Sequence, residues 1–259
     1  MKIVSFNISF VYDGDGINGF RHRLGMILDK VYTEEPDVLC LQEVTPQIMR
    51  VFKRSLNGYT TIFNGRDSDM GGEGLAICCN DRTTEFQTID RYWFSPTPEK
   101  PGSRYDEGQS KFNRIGQMAL LRYNPTNQYF RVFNNHFDFF SEQVGLDSMK
   151  QVLERLTKEQ KAVALPFFIV GDLNSRPESM GIRYAYEYKD YPLTDLVADV
   201  GATCHHYSAK DGVVDRTKID YIFTDKDTAS HKLKSEKWTE HADGIWLSDH
   251  YPVAAEIDW

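Results

Sequence analysis

Acidic, amide and imidazole side chains recur in this sequence at one kind of place, directly after a short apolar run. Ile3-Val4-Ser5-Phe6 is followed by Asn7, and Val38-Leu39-Cys40-Leu41-Gln42 by Glu43. Phe130-Arg131-Val132-Phe133 leads into Asn134-Asn135-His136-Phe137-Asp138, and Phe167-Phe168-Ile169-Val170 into Gly171-Asp172-Leu173-Asn174. Near the C-terminal end, Ser248-Asp249-His250 precedes another apolar run. A single Asp or Asn after a strand is ordinarily a turn former. Turn chemistry does not require carboxylates, amides and two His–Asp pairings at successive strand ends, so the set as a whole points to a site. Oxygen-rich clusters of carboxylates and amides suit hard divalent cations such as Mg²⁺, which keeps water ligands and binds substrate phosphate. Histidine beside such a cation can donate to a phosphate oxygen where charge develops, and an Asp held by an amide can orient or deprotonate water. The chemistry expected is metal-assisted phosphoester hydrolysis.

These side chains need strands to bring them together. The β-branched-rich runs 3–6, 38–41, 75–79, 118–121, 130–133, 167–170, 219–223 and 253–257 read as buried strands. Helical spacing is carried by Phe20, Leu24, Ile27, Leu28 and Val31, and again by Leu146, Met149, Leu153 and Leu156. The helices are too few to follow every strand, which disfavours one parallel sheet wound by crossovers. Two mixed sheets packed face to face with helices outside fit better, an α/β or α+β architecture. No repeat of 20–50 residues is present. The Pro- and Gly-rich stretch 95–116 carries aromatic and charged residues and reads as a long structured loop with a functional role, not as a linker.

Composition sets the outer bounds. With 259 residues, 41% hydrophobic and 26% charged, the chain has ordinary globular usage, which excludes collagen-like and disordered classes. Thirty Lys plus Arg against 38 Asp plus Glu give a net charge of -8, so the chain as a whole does not attract nucleic acid or anionic membrane. That leaves room for a local basic groove. The N-terminus has no apolar signal core and no run approaches the roughly 18 residues of a membrane span, so a cytoplasmic location is expected. Cys40, Cys78, Cys79 and Cys204 form no CxxC pair and read as reduced structural thiols.

Asn7, Gln42-Glu43, Asn134-x-His136-x-Asp138, Gly171-Asp172-x-Asn174 and Ser248-Asp249-His250, in that order, resemble the motif set of the endonuclease/exonuclease/phosphatase superfamily. The resemblance spans residues 7 to 250 and so places the whole of residues 1–259 in a single domain. It implies a DNase I-like four-layer sandwich of two mixed sheets with outer helices, and one or two Mg²⁺ or Mn²⁺ ions at the strand ends. Carried over position by position, Glu43 resembles the principal metal ligand, with Asn7 and Asp249 close to the metal. His250 resembles the histidine that contacts the scissile phosphate, its orientation fixed with help from Asp249. Asp172 resembles the residue that aligns or activates water, and Asn174 its support for phosphate or metal. His136 and Asp138 resemble a further polar pair facing the phosphate, and Asp220 a recurrent supporting position beneath the site.

Gly65-Arg66-Asp67, Gly72-Glu73-Gly74, Trp93-Phe94-Ser95-Pro96 and Asn113-Arg114 are similar to a bacterial branch related to deadenylase-like and nocturnin-like members. Arg23 resembles that branch's early arginine. Two departures concern substrate contacts: Phe139-Phe140 stands where a second histidine is common, and Gly145-Leu146-Asp147 where an arginine is common. Arg23, Arg66 and Arg114 are candidates for a bidentate phosphate clamp, the alternative being ion pairs with nearby acids such as Asp67. Trp93, Phe94 and Tyr105 could stack on a base or sugar face or simply pack their loop onto the sheet.

The functional expectation is a metal-dependent phosphodiesterase acting on a nucleotide or short nucleic acid. The alternatives are a phosphatase or phosphodiesterase of a sugar, inositol or lipid phosphate, and a non-catalytic binding module of the same fold. The implied partner is a phosphoester substrate, with no transmembrane segment and no protein partner inferable.

Overall fold

Side chains along the apolar runs alternate between two buried environments, and that alternation builds the layers. Val38 and Cys40 face the space between two sheets, whereas Leu39 and Leu41 face helices on the other side. The computed structural model describes residues 1–14, 16–207 and 217–259. In chain order the strands are β1 (Lys2–Asn7), β2 (Val38–Val44), β3 (Tyr59–Gly65), β4 (Gly74–Asn80), β5 (Thr84–Trp93), β6 (Ile115–Tyr123), β7 (Gln128–His136), β8 (Phe167–Asp172), β9 (Thr194–Asp195), β10 (Asp220–Thr224), β11 (Lys232–Lys237), β12 (His241–Ala242), β13 (Ile245–Trp246) and β14 (Val253–Ile257). The helices are α1 (Phe20–Glu34), α2 (Pro46–Ser55), α3 (Glu142–Ala162), α4 (Met180–Tyr186) and α5 (Lys226–Ala229).

One six-stranded sheet runs β11-β14-β1-β2-β4-β3 and the other β5-β6-β7-β8-β10-β9, with β12 and β13 forming a small ribbon. Each large sheet is mixed: β1–β2 and β7–β8 are parallel, and the other pairs are antiparallel. Ile3, Val38, Ile77, Leu121, Phe130, Val170, Ile222 and Val253 fill the space between the sheets. Phe20, Ile27 and Val31 of α1 and Ile48 and Phe52 of α2 cover the outer face of the first sheet. Met149, Val152, Leu153 and Leu156 of α3 and Ile182 of α4 cover the second. The result is the expected four-layer sandwich, with α+β composition. Strands β3, β5, β9, β11, β12 and β13 and helices α2, α4 and α5 are additions to the sequence reading.

Local signals explain the helix starts. Thr45 caps α2 by accepting the Ile48 N–H at 3.2 Å, with Pro46 in the first turn, and Ser141 caps α3 through Val144 N. Beneath the site the sheets are joined by amides: Gln42 Nε2 donates to Asn134 Oδ1 at 2.8 Å, and Asn134 Nδ2 donates to the carbonyls of Leu41 and Ala76. All four cysteines are buried and free, as their apolar surroundings suggested. No helix among the described residues is long and apolar enough to cross a membrane.

Candidate active site

The second sheet sets three polar residues in a row. His136 ends β7 and pairs in register with Asp172 at the end of β8, and Asp172 pairs in turn with Asp220 at the start of β10. Because β7 and β8 are parallel and β10 runs the other way, two strand ends and one strand start meet at the same edge. Gly171 makes this possible. Its φ is +145°, and a Cβ there would stand 2.0 Å from the Asn135 carbonyl oxygen, so no other residue fits at that close approach.

The first sheet contributes from the opposite side. Asn7 ends β1 and reaches across, its Nδ2 donating to Asp172 Oδ2 at 2.9 Å. Glu43 lies in a bulge where two residues of β2, Gln42 and Glu43, stand between the pairs Leu41–Ala76 and Val44–Gly74. Its φ is +59°, a left-handed backbone that turns its carboxylate out of the ladder, where Oε2 accepts the Phe10 N–H at 3.0 Å. Asn174 also has a left-handed backbone, with φ +46°, and donates its N–H to Asp172 Oδ1 at 2.9 Å.

His250, just before β14, enters from the C-terminal side. Its Nδ1 lies 2.9 Å from Asp220 Oδ2, and its Nε2 lies 3.9 Å from Asp172 Oδ2. The orientation expected from Asp249 is therefore supplied by Asp220, while Asp249 accepts from the Ser248 hydroxyl at 3.0 Å. Burial disfavours a charged imidazole, but Asp220 and Asp172 override it and hold the His250 pKa well above the usual histidine range. Burial and the neighbouring Arg114 and Arg66 push His136 the other way, so the two histidines carry opposite protonation at neutral pH. Burial raises Asp172 to about 6, against the opposing pull of His250. Glu43 is raised to about 7 by burial and then by Glu73 and Asp249.

These residues open on one cleft of about 620 Å³ lined by Glu43, Glu73, Asp172, Asn174, Asp249 and His250 together with Arg66, Arg114, His136 and the rings of Phe10, Phe112 and Phe139. Arg66 pairs with Glu73 at 2.5 Å, and Arg114 Nη1 lies 3.0 Å from His136 Nε2. Asp138 does not line the cleft. It sits behind Arg114, 3.6 Å from its Nε, and accepts from the N–H and hydroxyl of Ser110, so its work is to hold the cleft wall.

Arg23 is not part of the cleft either. It is fully buried, and its guanidinium donates to the carbonyls of Asn18, Ile8, Leu247 and Ser9 at 2.6–3.3 Å. The expected phosphate clamp at this position is instead a clamp on backbone. Trp93 and Phe94 are likewise buried, the Trp93 indole donating to the Arg66 carbonyl, so they pack their loop and do not stack on a ligand.

Glu73 also lines the cleft, although it precedes its strand and does not follow an apolar run. Its position beside Glu43 matters for cation binding. Glu43, Glu73 and Asp249 crowd negative charge, and the raised Glu43 pKa marks a carboxylate short of counter-charge. Such an oxygen-rich set is of the kind that suits a hard divalent cation. Asp172, Asp220 and His250, all buried, also bring one donor atom each within 4.8 Å of one another and could take a cation.

Known structures share this architecture. An endonuclease/exonuclease/phosphatase from Bacteroides vulgatus superposes with a TM-score of 0.88 at 22% identity, covering 99% of this chain and 98% of its own. The mannosyl-6-phosphatase Bt3783 of Bacteroides thetaiotaomicron gives a TM-score of 0.86 at 21% identity, covering 100% of both chains. The human Nocturnin catalytic domain gives 0.72 at 17% identity, over 98% of this chain and 92% of its own. At these identities the likeness is one of fold. In sequence, the strand-end residues from Asn7 to His250 fall inside a match to one family's sequence model that runs from residue 4 to 250, and the chain belongs to the Endonuclease/Exonuclease/phosphatase family.

Proposed function

We propose that this chain is a divalent-metal-dependent phosphoester hydrolase, and that within that class it is a phosphodiesterase acting on a nucleotide or short nucleic acid. The observation that carries the reading is the meeting of Glu43, Asp172, Asn174, Asp249 and His250 with Arg114 and His136 in one cleft. Asp172, its pKa raised to about 6 by burial and its carboxylate tethered by Asn7 and Asn174, is placed to orient a water and take its proton. His250, held protonated by Asp220, donates to the phosphoryl oxygen on which charge accumulates. Arg114 and the neutral His136 form the neighbouring wall and bind a second oxygen. Mg²⁺ or Mn²⁺, carried by Glu43 with Asn7 and Asp249, would neutralise phosphate charge.

The test is turnover of a panel of chromogenic phosphodiesters, nucleotides, oligonucleotides, sugar phosphates, inositol phosphates and phospholipid head groups, with Mg²⁺ or Mn²⁺ and with EDTA. Sugar phosphates belong in the panel because one structural neighbour is a mannosyl-6-phosphatase. Turnover is expected to vanish with EDTA and in Glu43→Ala and His250→Ala. Full activity in either variant would sink the assignment, and the absence of any metal-dependent turnover would leave a binding module.

A further inference from the structure

Several polar groups of the cleft are held by a neighbour, in the cleft or beneath it. Arg66 holds Glu73, Arg114 faces His136, Asn7 holds Asp172 and Asp220 holds His250. Beyond the groups that would meet phosphate and cation, the described residues of the cleft offer Phe10, Phe112, Phe139, Ile219 and His206. Two of these rings stand open to solvent, Phe139 at 56% and Phe10 at 51% exposure. Exposed rings gathered at the mouth of a charged cleft mark a contact surface for an apolar group.

The segments that carry these rings are also held next to the phosphate-facing groups. The Arg114 guanidinium carbon lies 5.7 Å from the centre of the Phe139 ring and 5.9 Å from that of Phe112. Phe10 is joined to Glu43 through its backbone N–H. A knot around Asp138 sets the positions of Phe112 and Phe139. The Asp138 carboxylate accepts the N–H of Phe140 at 3.0 Å and both donors of Ser110, and the Ser110 hydroxyl in turn accepts the Phe112 N–H at 3.3 Å. One buried carboxylate therefore braces Arg114 and the backbone on both ring-bearing segments. A surface held in this way loses little freedom when a ligand covers it.

We infer that Phe139, with Phe112 and Phe10, forms a subsite for a planar aromatic ring on the alcohol side of the phosphoester, a nucleobase or an aryl group. This rests on the phosphoester reading above and narrows it. A flat ring covers the exposed face of Phe139 more fully than a sugar ring, whose hydroxyls project at its edge, while its phosphate reaches Arg114.

Isothermal titration with Mg²⁺ present tests the subsite using adenosine 5′-monophosphate, phenyl phosphate and ribose 5-phosphate. Sustained heat in the same experiment registers turnover separately from binding. Both ring-bearing phosphates are expected to bind on the order of tenfold more tightly than ribose 5-phosphate. That gap should close in Phe139→Ala and persist in Phe139→Trp. Tighter binding of adenosine 5′-monophosphate assigns the ring to a nucleobase, and tighter binding of phenyl phosphate assigns it to an aryl group. Equal binding of all three probes by the unaltered protein, or a gap that survives Phe139→Ala, overturns the subsite. A ring-dependent gap without turnover on any phosphoester would keep the subsite and defeat the hydrolase reading.

Discussion

His250 and Asp220 form a buried pair, Nδ1 to Oδ2 at 2.9 Å, in which the aspartate begins β10 and the histidine comes from the approach to the last strand. Asp220 also stands in register with Asp172, and two carboxylates directly opposed on adjacent strands repel. The imidazolium of His250 reaches both and offsets that repulsion. Asp220→Asn removes the charge that keeps His250 protonated and oriented. The expected result is a fall in kcat of about 10²–10⁴-fold with KM little changed. A proportionate loss in KM, or unchanged kcat, would show that Asp220 does not act through His250.

Glu43 carries a cost that a cation should relieve. Its pKa is raised to about 7 from an ordinary 4.5, so its ionised form disfavours folding above about pH 7 and costs nothing below pH 4.5. In the absence of metal, Glu43→Gln is therefore expected to melt higher than the unaltered protein at pH 8, by about 1 kcal/mol after allowance for solvent screening. With Mg²⁺ or Mn²⁺ at 100 times its Kd the order should reverse. The unaltered protein gains about 2.7 kcal/mol by mass action and Glu43→Gln gains little. Thermal melts with EDTA and with metal read both effects, and an equal metal-induced shift in the two proteins would remove Glu43 from the ligand set.

Gly171→Ala should be among the most damaging single-methyl changes in the chain. The added Cβ meets the Asn135 carbonyl at 2.0 Å, and that backbone belongs to the strand bearing His136. Relief requires β7 and β8 to part where their parallel pairing sets His136 against Asp172. A loss of about 3 kcal/mol or more is expected in denaturant unfolding. A loss below 1 kcal/mol would mean that the strands can separate there cheaply.

The interior of the fold was legible because burial on both faces writes a continuous apolar run. Runs such as 75–79 and 167–170 become β4 and β8, and every run read as a strand lies inside its sheet. Apart from the short β12–β13 ribbon, the strands absent from that reading, β3, β5, β9 and β11, are the four edges of the large sheets, where one side meets solvent and the pattern dilutes. β11 is Lys-Leu-Lys-Ser-Glu-Lys, a charged edge of the kind that resists pairing with another chain. The polar residues after apolar runs were visible for the same reason, since strand ends place them. Glu73 stands in the sequence only within the Gly72-Glu73-Gly74 resemblance and without a role, because it precedes its strand. Asp220 drew only a supporting role, although it holds His250. Arg23 was misassigned because a sequence does not distinguish an arginine that meets phosphate from one that meets carbonyls.

Glu34 gives the acid-side pH dependence away from the site. Burial would raise its pKa, but hydrogen bonds from Lys2 at 2.8 Å and Lys30 at 2.7 Å prevail and lower it to about 2. A depressed carboxylate pKa contributes stability above the unfolded value of 4.5 and loses it as pH falls toward 2. The side chain is 19% exposed, so the contribution is about 1 kcal/mol once screening is allowed for. Glu34→Gln should be destabilised by that amount at pH 7 and converge on the unaltered protein as pH falls below 2. A difference that did not change with pH would indicate lost packing and not lost charge.

Arg23 separates two readings of the same letter. One guanidinium donates to the carbonyls of Ile8 and Ser9, just beyond Asn7, of Asn18, and of Leu247, two residues before Asp249. It thus ties together the segments that deliver two residues of the proposed cation site. Lysine keeps the charge but cannot spread donors over carbonyls lying in different directions. Arg23→Lys should therefore cost about 3 kcal/mol and lower Tm by roughly 6–12 °C. Well below that melting point, KM for phosphoesters should stay within about twofold, because the side chain meets no ligand. A phosphate clamp would behave in the opposite way, with KM rising steeply at unchanged Tm. Measuring both on one preparation decides whether this arginine serves the substrate or the backbone that surrounds it.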